Sequence, residues 1–347
     1  MRQEAQLIRL LHGNVKNLNL NGKKLQNVPR PICQMHTLVL LEMKNNRLSH
    51  FPDFLSTLTN LEFLNLGNNK LEEIPSVIQY MEKLLKLHLF RNTIVRLTPI
   101  VLTKLKSLTL LNLNNNSLTA LPIEIANLQS LQVLSVDWNK LQYFPAELCS
   151  LTELLEIHAS HNQLQALPLE IGLLSSLNKL LLAQNNIKEL PEGLGRLRQL
   201  HVLDVAGNEL RIFPTETHNI PLRELYCEAN PLLEKFPVHS VQEEEILSLK
   251  ELSARLVMKE VKTKGSVIRQ MIRYFPGVRE MLSQASRCAV CSEAFLNTWL
   301  ECVKFVKAGK DLKIGKCNNA VIPVRALLCS YKCFNSEGHG FFGVAFP

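Results

Sequence analysis

The sequence predicts an α/β solenoid of about ten stacked repeats of 23 residues, followed by a helical segment and a small cysteine-rich module. Three observations predict it. A frame L-x-x-L-x-L-x-x-N-x-L-x-x-L-P-x-x-I-x-x-L recurs from Val15 to about Pro237, with starts at Val15, Leu38, Leu61, Leu84, Leu108, Leu131, Leu154, Leu177, Leu200 and Leu222. Those starts lie 23 residues apart, except for one interval of 24 and one of 22. Asparagines return at a single frame position: Asn46, Asn69, Asn92, Asn116, Asn139, Asn162, Asn185, Asn208 and Asn230. A fixed period of this length marks units that cannot close a core alone and must stack to bury one.

The first segment, 1–14, is expected to cap the array, because an end unit has one face without a neighbour. The first repeat is degraded, with Lys23 where the asparagine belongs. Repeats occupy 15–237. Within each, alternation such as Leu41 and Met43 against Glu42 and Lys44 has strand periodicity. The asparagine amide offers donors and an acceptor to backbone groups left open where the strand turns, so the stack should carry an asparagine ladder. The recurring Pro52, Pro75, Pro122, Pro145, Pro168, Pro191 and Pro214 prevent a second strand and favour an extended or short helical return. This frame is that of a leucine-rich repeat solenoid.

A chain of 347 residues with 46% hydrophobic and 20% charged residues is long enough to bury an extended core. Met1–His12 carries Arg2, Glu4 and Arg9 and lacks the pattern of a secretory signal. No stretch approaches the roughly 18 apolar residues of a spanning helix. Cys33, Cys149 and Cys227 stand alone inside the repeats and read as buried thiols, which places the protein in the cytoplasm or nucleus. Of the net charge of +8, the tail from Glu234 supplies +6, with 17 basic against 11 acidic residues. A basic tail can meet nucleic acid, but no aromatic-plus-arginine recognition module accompanies it.

The concave face is where a solenoid reads a protein partner. The frame places Asn19, Glu42, Asn65, His88, Asn112, Ser135, His158, Leu181, Asp204 and Tyr226 on its central outward ladder. Aromatic and arginine side chains on a rigid sheet act as anchors, so Phe90, Arg91, Trp138, His158, His161 and Tyr226 are the contact candidates. Asp137, His158 and His161 on adjacent units could also be read as a metal or acid–base site, although open ladders gather polar residues routinely. No G-x-S-x-G, phosphate loop or H-E-x-x-H occurs, and nothing in the sequence argues for catalysis.

The segment 238–286 reads as two or three amphipathic helices broken at Gly265 and at Pro276–Gly277. One apolar face joins Ile246, Leu249, Leu252, Leu256 and Val257, and a second joins Ile268, Met271, Ile272 and Phe275. Their expected role is to cover the exposed end of the last repeat. The stretch Ser248–Val257 also resembles the elongin-binding box of cullin ubiquitin-ligase receptors, with Leu249 as anchor and Ser253 and Val257 one and two turns on. Arg279 stands where the cullin-contacting segment would want an apolar residue after Phe275-Pro276-Gly277-Val278.

The module 287–347 holds six of the nine cysteines. Cys288-Ala-Val-Cys291 and Cys329-Ser-Tyr-Lys-Cys333 flank two expected strands, Thr298–Val306 and Val321–Leu328. Two cysteine pairs on tight turns fit a closed, structural zinc site of four thiolates. Cys302, Cys317 and His339 are alternative donors, and a set of buried thiols in a small sheet is the other reading. A segment this small gains from a metal what its own core cannot supply.

The order of solenoid, Leu222-Arg-Glu-Leu-Tyr-Cys-Glu-Ala-Asn-Pro-Leu, Trp299-Leu-Glu-Cys-Val-Lys-Phe-Val and Cys329-Ser-Tyr-Lys-Cys-Phe resembles the intracellular leucine-rich repeat family, including members with a paired-cysteine tail and an elongin-box-like helix. The resemblance implies a substrate receptor: the solenoid chooses a target while the helix docks elongin B/C and a cullin. The alternative is an intracellular scaffold or signalling adaptor with no ligase role. Either way the sequence describes a non-enzymatic interaction protein.

Overall fold

The computed structural model describes residues 15–233, 247–296, 300–336 and 338–343. The expected cap at 1–14, the end of the repeat array beyond 233, Ile246 and Trp299 lie outside the described residues. Two compact units form. One holds the described residues up to Leu210, Glu216–Pro231 and Ala308–Ala320; the other holds Arg211–Thr215 and the described residues of 232–307 and 321–347.

In the first unit each repeat contributes one three-residue strand. They are β1 (Asn17–Asn19), β2 (Leu40–Glu42), β3 (Phe63–Asn65), β4 (Lys86–His88), β5 (Leu110–Asn112), β6 (Val133–Ser135), β7 (Glu156–His158), β8 (Lys179–Leu181), β9 (Val202–Asp204) and β10 (Glu224–Tyr226). All pair parallel with their neighbours, in one register that sets Leu41, Leu64, Leu87 and Leu111 side by side. The frame leucines are sealed from solvent, each contributing about 1.5–3 kcal/mol of burial.

The asparagine ladder forms as expected. In the sixth repeat, Asn139 donates through Nδ2 to Leu113 O (3.1 Å) and Val136 O (3.0 Å), and its Oδ1 accepts from Leu118 N–H (3.0 Å). The residue before each of these asparagines bends through a left-handed φ: +51° at Arg91, +58° at Trp138 and +57° at His161. The amide bonds of the ladder hold that bend, which costs an L-residue roughly 1–2 kcal/mol.

The frame prolines end the extended chain and start a short return helix. Pro122, Pro145 and Pro168 sit at φ near −73°, −67° and −56° and immediately precede 3₁₀ helices at Ile123–Asn127, Ala146–Ser150 and Leu169–Leu173. The fourth repeat differs. Its proline enters the helix itself, and the return becomes a six-residue α1 (Pro99–Lys104), which accounts for the 24-residue interval.

The second unit contains α2 (Leu249–Lys262), α3 (Val267–Met271) and α4 (Pro276–Ser283), with the first break at Gly265, φ +88°. Strands β11 (Ser286–Arg287) and β12 (Ala294–Phe295) form a small antiparallel pair. Beyond them, β13 (Leu300–Lys307) pairs antiparallel with the later Val321–Leu328 strand. The loop between those two strands carries β14 (Lys316–Cys317), which belongs to the first unit and pairs parallel with β10. The long partner of β13 is thus β15, and α5 (Tyr331–Phe334) and β16 (Phe342–Gly343) follow. The free edge of the repeat sheet was expected to be covered by the helical segment. Within the first unit β14 pairs at that edge: Gly315 N–H and Lys316 N–H both donate to Arg223 O, at 3.0 and 3.1 Å.

The inward face of α2 also departs from the expected one. Its buried residues are Glu251, Ala254 and Met258, while Leu249, Leu252 and Leu256 point to solvent. The reason is a polar anchor: Glu251 is 1% exposed, and its carboxylate accepts from Leu296 N–H (3.1 and 3.2 Å) and from Arg255 Nε (2.6 Å). Arg255 in turn donates to Cys329 O at 2.7 Å. No helix among the described residues is long and apolar enough to cross a membrane.

Candidate functional site

On the sheet face, the left-handed bend before each frame asparagine presents Arg91, Trp138 and His161 outward. Stacking of repeats six and seven then brings Trp138 and His161 together, with ring centroids 3.7 Å apart and planes 14° from parallel. Trp138 remains 55% exposed, so the pair forms an aromatic platform open to a partner. Phe90 lies over Gly67, where a Cβ would run into the Phe90 ring. Phe63, His88 and Phe90 make a second aromatic group, with centroids 5.3 Å (Phe63–His88) and 6.3 Å (His88–Phe90) apart. Burial and the charge of Lys86 hold the His88 imidazole below its ordinary pKa, so the group is neutral as well as aromatic. Phe63 and Gly67 were not among the expected contacts. Their only sequence signal was a bulky residue and a glycine at frame positions that tolerate anything.

The polar candidates Asp137, His158 and His161 are neighbours that each bond elsewhere. Asp137 accepts from Ser160 N–H (2.7 Å) and Asn114 Nδ2 (3.3 Å), and burial pushes its carboxyl above the usual range despite the Ser160 bond. His158 Nε2 meets Glu156 Oε2 at 2.7 Å, and Lys179 reaches the same oxygen at 3.3 Å. His161 is engaged by Trp138. Asp137 feels the charges of both His158 and His161, but each of the three has its own partner, and among the described residues only the four cysteines of the tail gather donor atoms closely enough to hold a metal. Tyr226 lies apart from the others at the end of the sheet. Its hydroxyl donates to Glu224 Oε2 (2.7 Å), and Lys316 Nζ stands 4.9 Å from its ring centroid.

On α2, Ser248 caps the helix by accepting from Glu251 N–H at 3.2 Å. Leu249 is 81% exposed, Ser253 is exposed and Val257 is half-buried. The three share the outward side because Glu251, Ala254 and Met258 take the inward one. Downstream, α3, the turn Ile272–Tyr274 and α4 leave Ile268, Ile272, Met281 and Leu282 half-buried and Val267, Met271, Tyr274, Phe275 and Val278 exposed. Helices this short are marginal without tertiary packing.

In the cysteine-rich module, Cys288, Cys291, Cys329 and Cys333 gather their Sγ atoms within 4.8 Å of one another. Cys291–Cys329 and Cys329–Cys333 are both 3.6 Å apart. Four thiolates at about 2.3 Å from one zinc ion would lie about 3.8 Å apart, so the donor set fits a tetrahedral metal. The turn that folds the first pair back is closed by Ser292 N–H donating to Cys288 O (2.9 Å), with Ser292 at φ +61°. Burial pushes the Cys288 thiol up, yet the N–H groups of Cys291, Cys329 and Val290 outweigh it and bring the thiol down to about 7. The alternative donors stay outside the cluster. Cys302 is packed in the apolar core of the module, with its thiol pushed up to about 12, and His339 bonds to Phe334 O at 2.6 Å. Cys317 is on β14 opposite Leu225.

Comparison with known proteins agrees with this architecture. Residues 82–141 match the family model described as Leucine rich repeat, and residues 60–81 match a second model of the same description. The chain is 50% identical over 135 residues to Leucine-rich repeat-containing protein 69 of Xenopus laevis, covering 39% of each chain. It is 44% identical over 124 residues to the protein of that name from Homo sapiens, covering 36% of this chain and 35% of that one. The match thus spans about two fifths of the length of these relatives. Among solved structures, the functional domain of InlJ from Listeria monocytogenes, which includes a cysteine ladder, superposes with a TM-score of 0.55 at 25% identity, covering 67% of this chain and 47% of that one. The repeat region is a leucine-rich repeat solenoid of the kind that serves as a protein-interaction domain.

Proposed function

We propose, from the premise of a leucine-rich repeat solenoid similar to Leucine-rich repeat-containing protein 69, that this chain is a non-enzymatic recognition protein of the cytoplasm or nucleus with two working surfaces. The sheet face takes a protein partner, with the Trp138–His161 platform and Phe90 as apolar anchors, Arg91 and His158 as polar ones, and Tyr226 as an outlying contact. The outward face of α2 docks elongin B/C and through it a cullin, which makes the protein a substrate receptor of a ubiquitin ligase. The observation that carries this second part is the inversion of α2: Leu249 is the most exposed large apolar residue among the described residues at 81%, and the helix is held from its other side by Glu251. A fold that needed Leu249 for packing would not leave it there. The four-cysteine cluster holds one zinc ion, which supplies cross-linking of the module and no chemistry, since all four coordination positions are filled by Cys288, Cys291, Cys329 and Cys333.

The test is a pull-down of the full chain from cell lysate beside the Leu249→Ala, Val257→Ala double variant. Elongin and cullin should accompany the wild type and be lost from the variant, with thermal unfolding shifted little because Leu249 is exposed. Absence of elongin from both would leave the scaffold reading, in which the same surfaces serve an adaptor without a ligase.

A further inference from the structure

We infer that the helical side of repeats four to seven, opposite the sheet, is a separate interaction surface that takes a basic amphipathic helix from a partner protein. The residue after the proline is Ile100, Ile123, Ala146 and Leu169 in these four repeats, and all are exposed, the three large ones by 51, 59 and 79%. The same position holds Asp53 and Ser76 in the repeats before and Glu192 in the repeat after, so the stripe has polar ends. The four return helices pack in sequence against one another, which aligns the stripe. At the spacing of neighbouring strands, about 4.8 Å, three repeat steps give a length of roughly 14 Å, which matches about ten residues of helix at 1.5 Å each.

A second row runs beside it. The following residues are Glu124, Glu147 and Glu170, whereas earlier repeats place Phe54, Val77 and Val101 there. None of the three carboxylates is in an ion pair among the described residues. The helices Ile123–Asn127, Ala146–Ser150 and Leu169–Leu173 contain no lysine or arginine, and Leu173 adds a further exposed leucine. Lys104 and Arg196 bound the acidic run at its two ends.

Like charges repeated one strand-spacing apart repel, and a contiguous apolar stripe in water is unfavourable. The frame requires neither row, because the buried residues of the acidic returns are Ile125, Leu148, Cys149 and Ile171. One ligand relieves both: a helix with leucine-like residues on one side and lysine or arginine along its flank. An anionic membrane or nucleic acid would meet the glutamates unfavourably.

The test uses the full chain and a synthetic Leu/Lys amphipathic helix of about five turns, followed by fluorescence anisotropy at low and high salt. We expect salt-sensitive binding that drops about tenfold or more in Ile123→Ser with Leu169→Ser and about tenfold in Glu124→Gln with Glu147→Gln and Glu170→Gln. Trp138→Asn should leave this binding unchanged, which separates it from the sheet-face reading. Equal affinity for all variants, no binding, or equal binding of a Leu/Glu peptide would overturn the inference. Self-association of the chain that Ile123→Ser with Leu169→Ser abolishes would also overturn it, by assigning the surface to a second copy.

Discussion

Trp138 is held at φ +58°, a bend that a tryptophan adopts only because Asn139, next in the chain, ties three backbone groups around it. The large side chain is therefore tolerated by the fold rather than needed by it. Asparagine accepts the left-handed region more readily, so Trp138→Asn should leave the thermal midpoint unchanged or raised while lowering affinity for the sheet-face partner by about 2 kcal/mol. Unfolding of the variant, or unchanged affinity measured by calorimetry, would remove Trp138 from the interface. At this scale the sequence was informative where the frame fixes a residue. Trp138 and His161 occupy the same place in successive repeats, so their proximity followed from stacking. Phe63 and Gly67 were invisible, because the frame leaves their positions free and only the Phe90 ring lying over Gly67 gives them meaning.

At the scale of elements, the repeats and the tail obey different rules. A return helix begins where a proline stands, and this was legible residue by residue. The orientation of α2 was not. Apolar periodicity pointed Leu249, Leu252 and Leu256 inward, but Glu251 finds Leu296 N–H, 45 residues on, and turns the helix over. Glu251→Ala should cost about 3–5 kcal/mol in the tail unit by stranding Arg255 and that N–H, a far larger loss than Leu249→Ala; similar unfolding curves for the two would return the leucines to the core. The cysteine spacing was legible too, and the four sulfurs do converge. Purified protein should carry about one equivalent of zinc, and Cys291→Ser or a chelator should unfold the module while the repeats keep their circular dichroism. Metal-free protein with a folded module would end the zinc assignment.

Across the whole molecule, a period of 23 residues made the solenoid legible from end to end, since each repeat is a nearly independent copy of one local rule. What could not be read was the return of Lys316 and Cys317 to pair with β10, a contact about 90 residues distant that follows no period. The same holds for the two working surfaces. Periodicity places residues on a face, while exposure and charge on that face decide what it can hold, as the contrast between the aromatic sheet face and the acidic stripe of repeats five to seven illustrates. On our proposal the outward side of α2 docks elongin. Isothermal titration of purified elongin B/C into the full chain, and into the Leu249→Ala, Val257→Ala variant, tests it most directly. Saturable one-to-one binding is expected for the wild type, weakened at least about tenfold in the variant. No heat of binding, or equal affinity for both proteins, would contradict it.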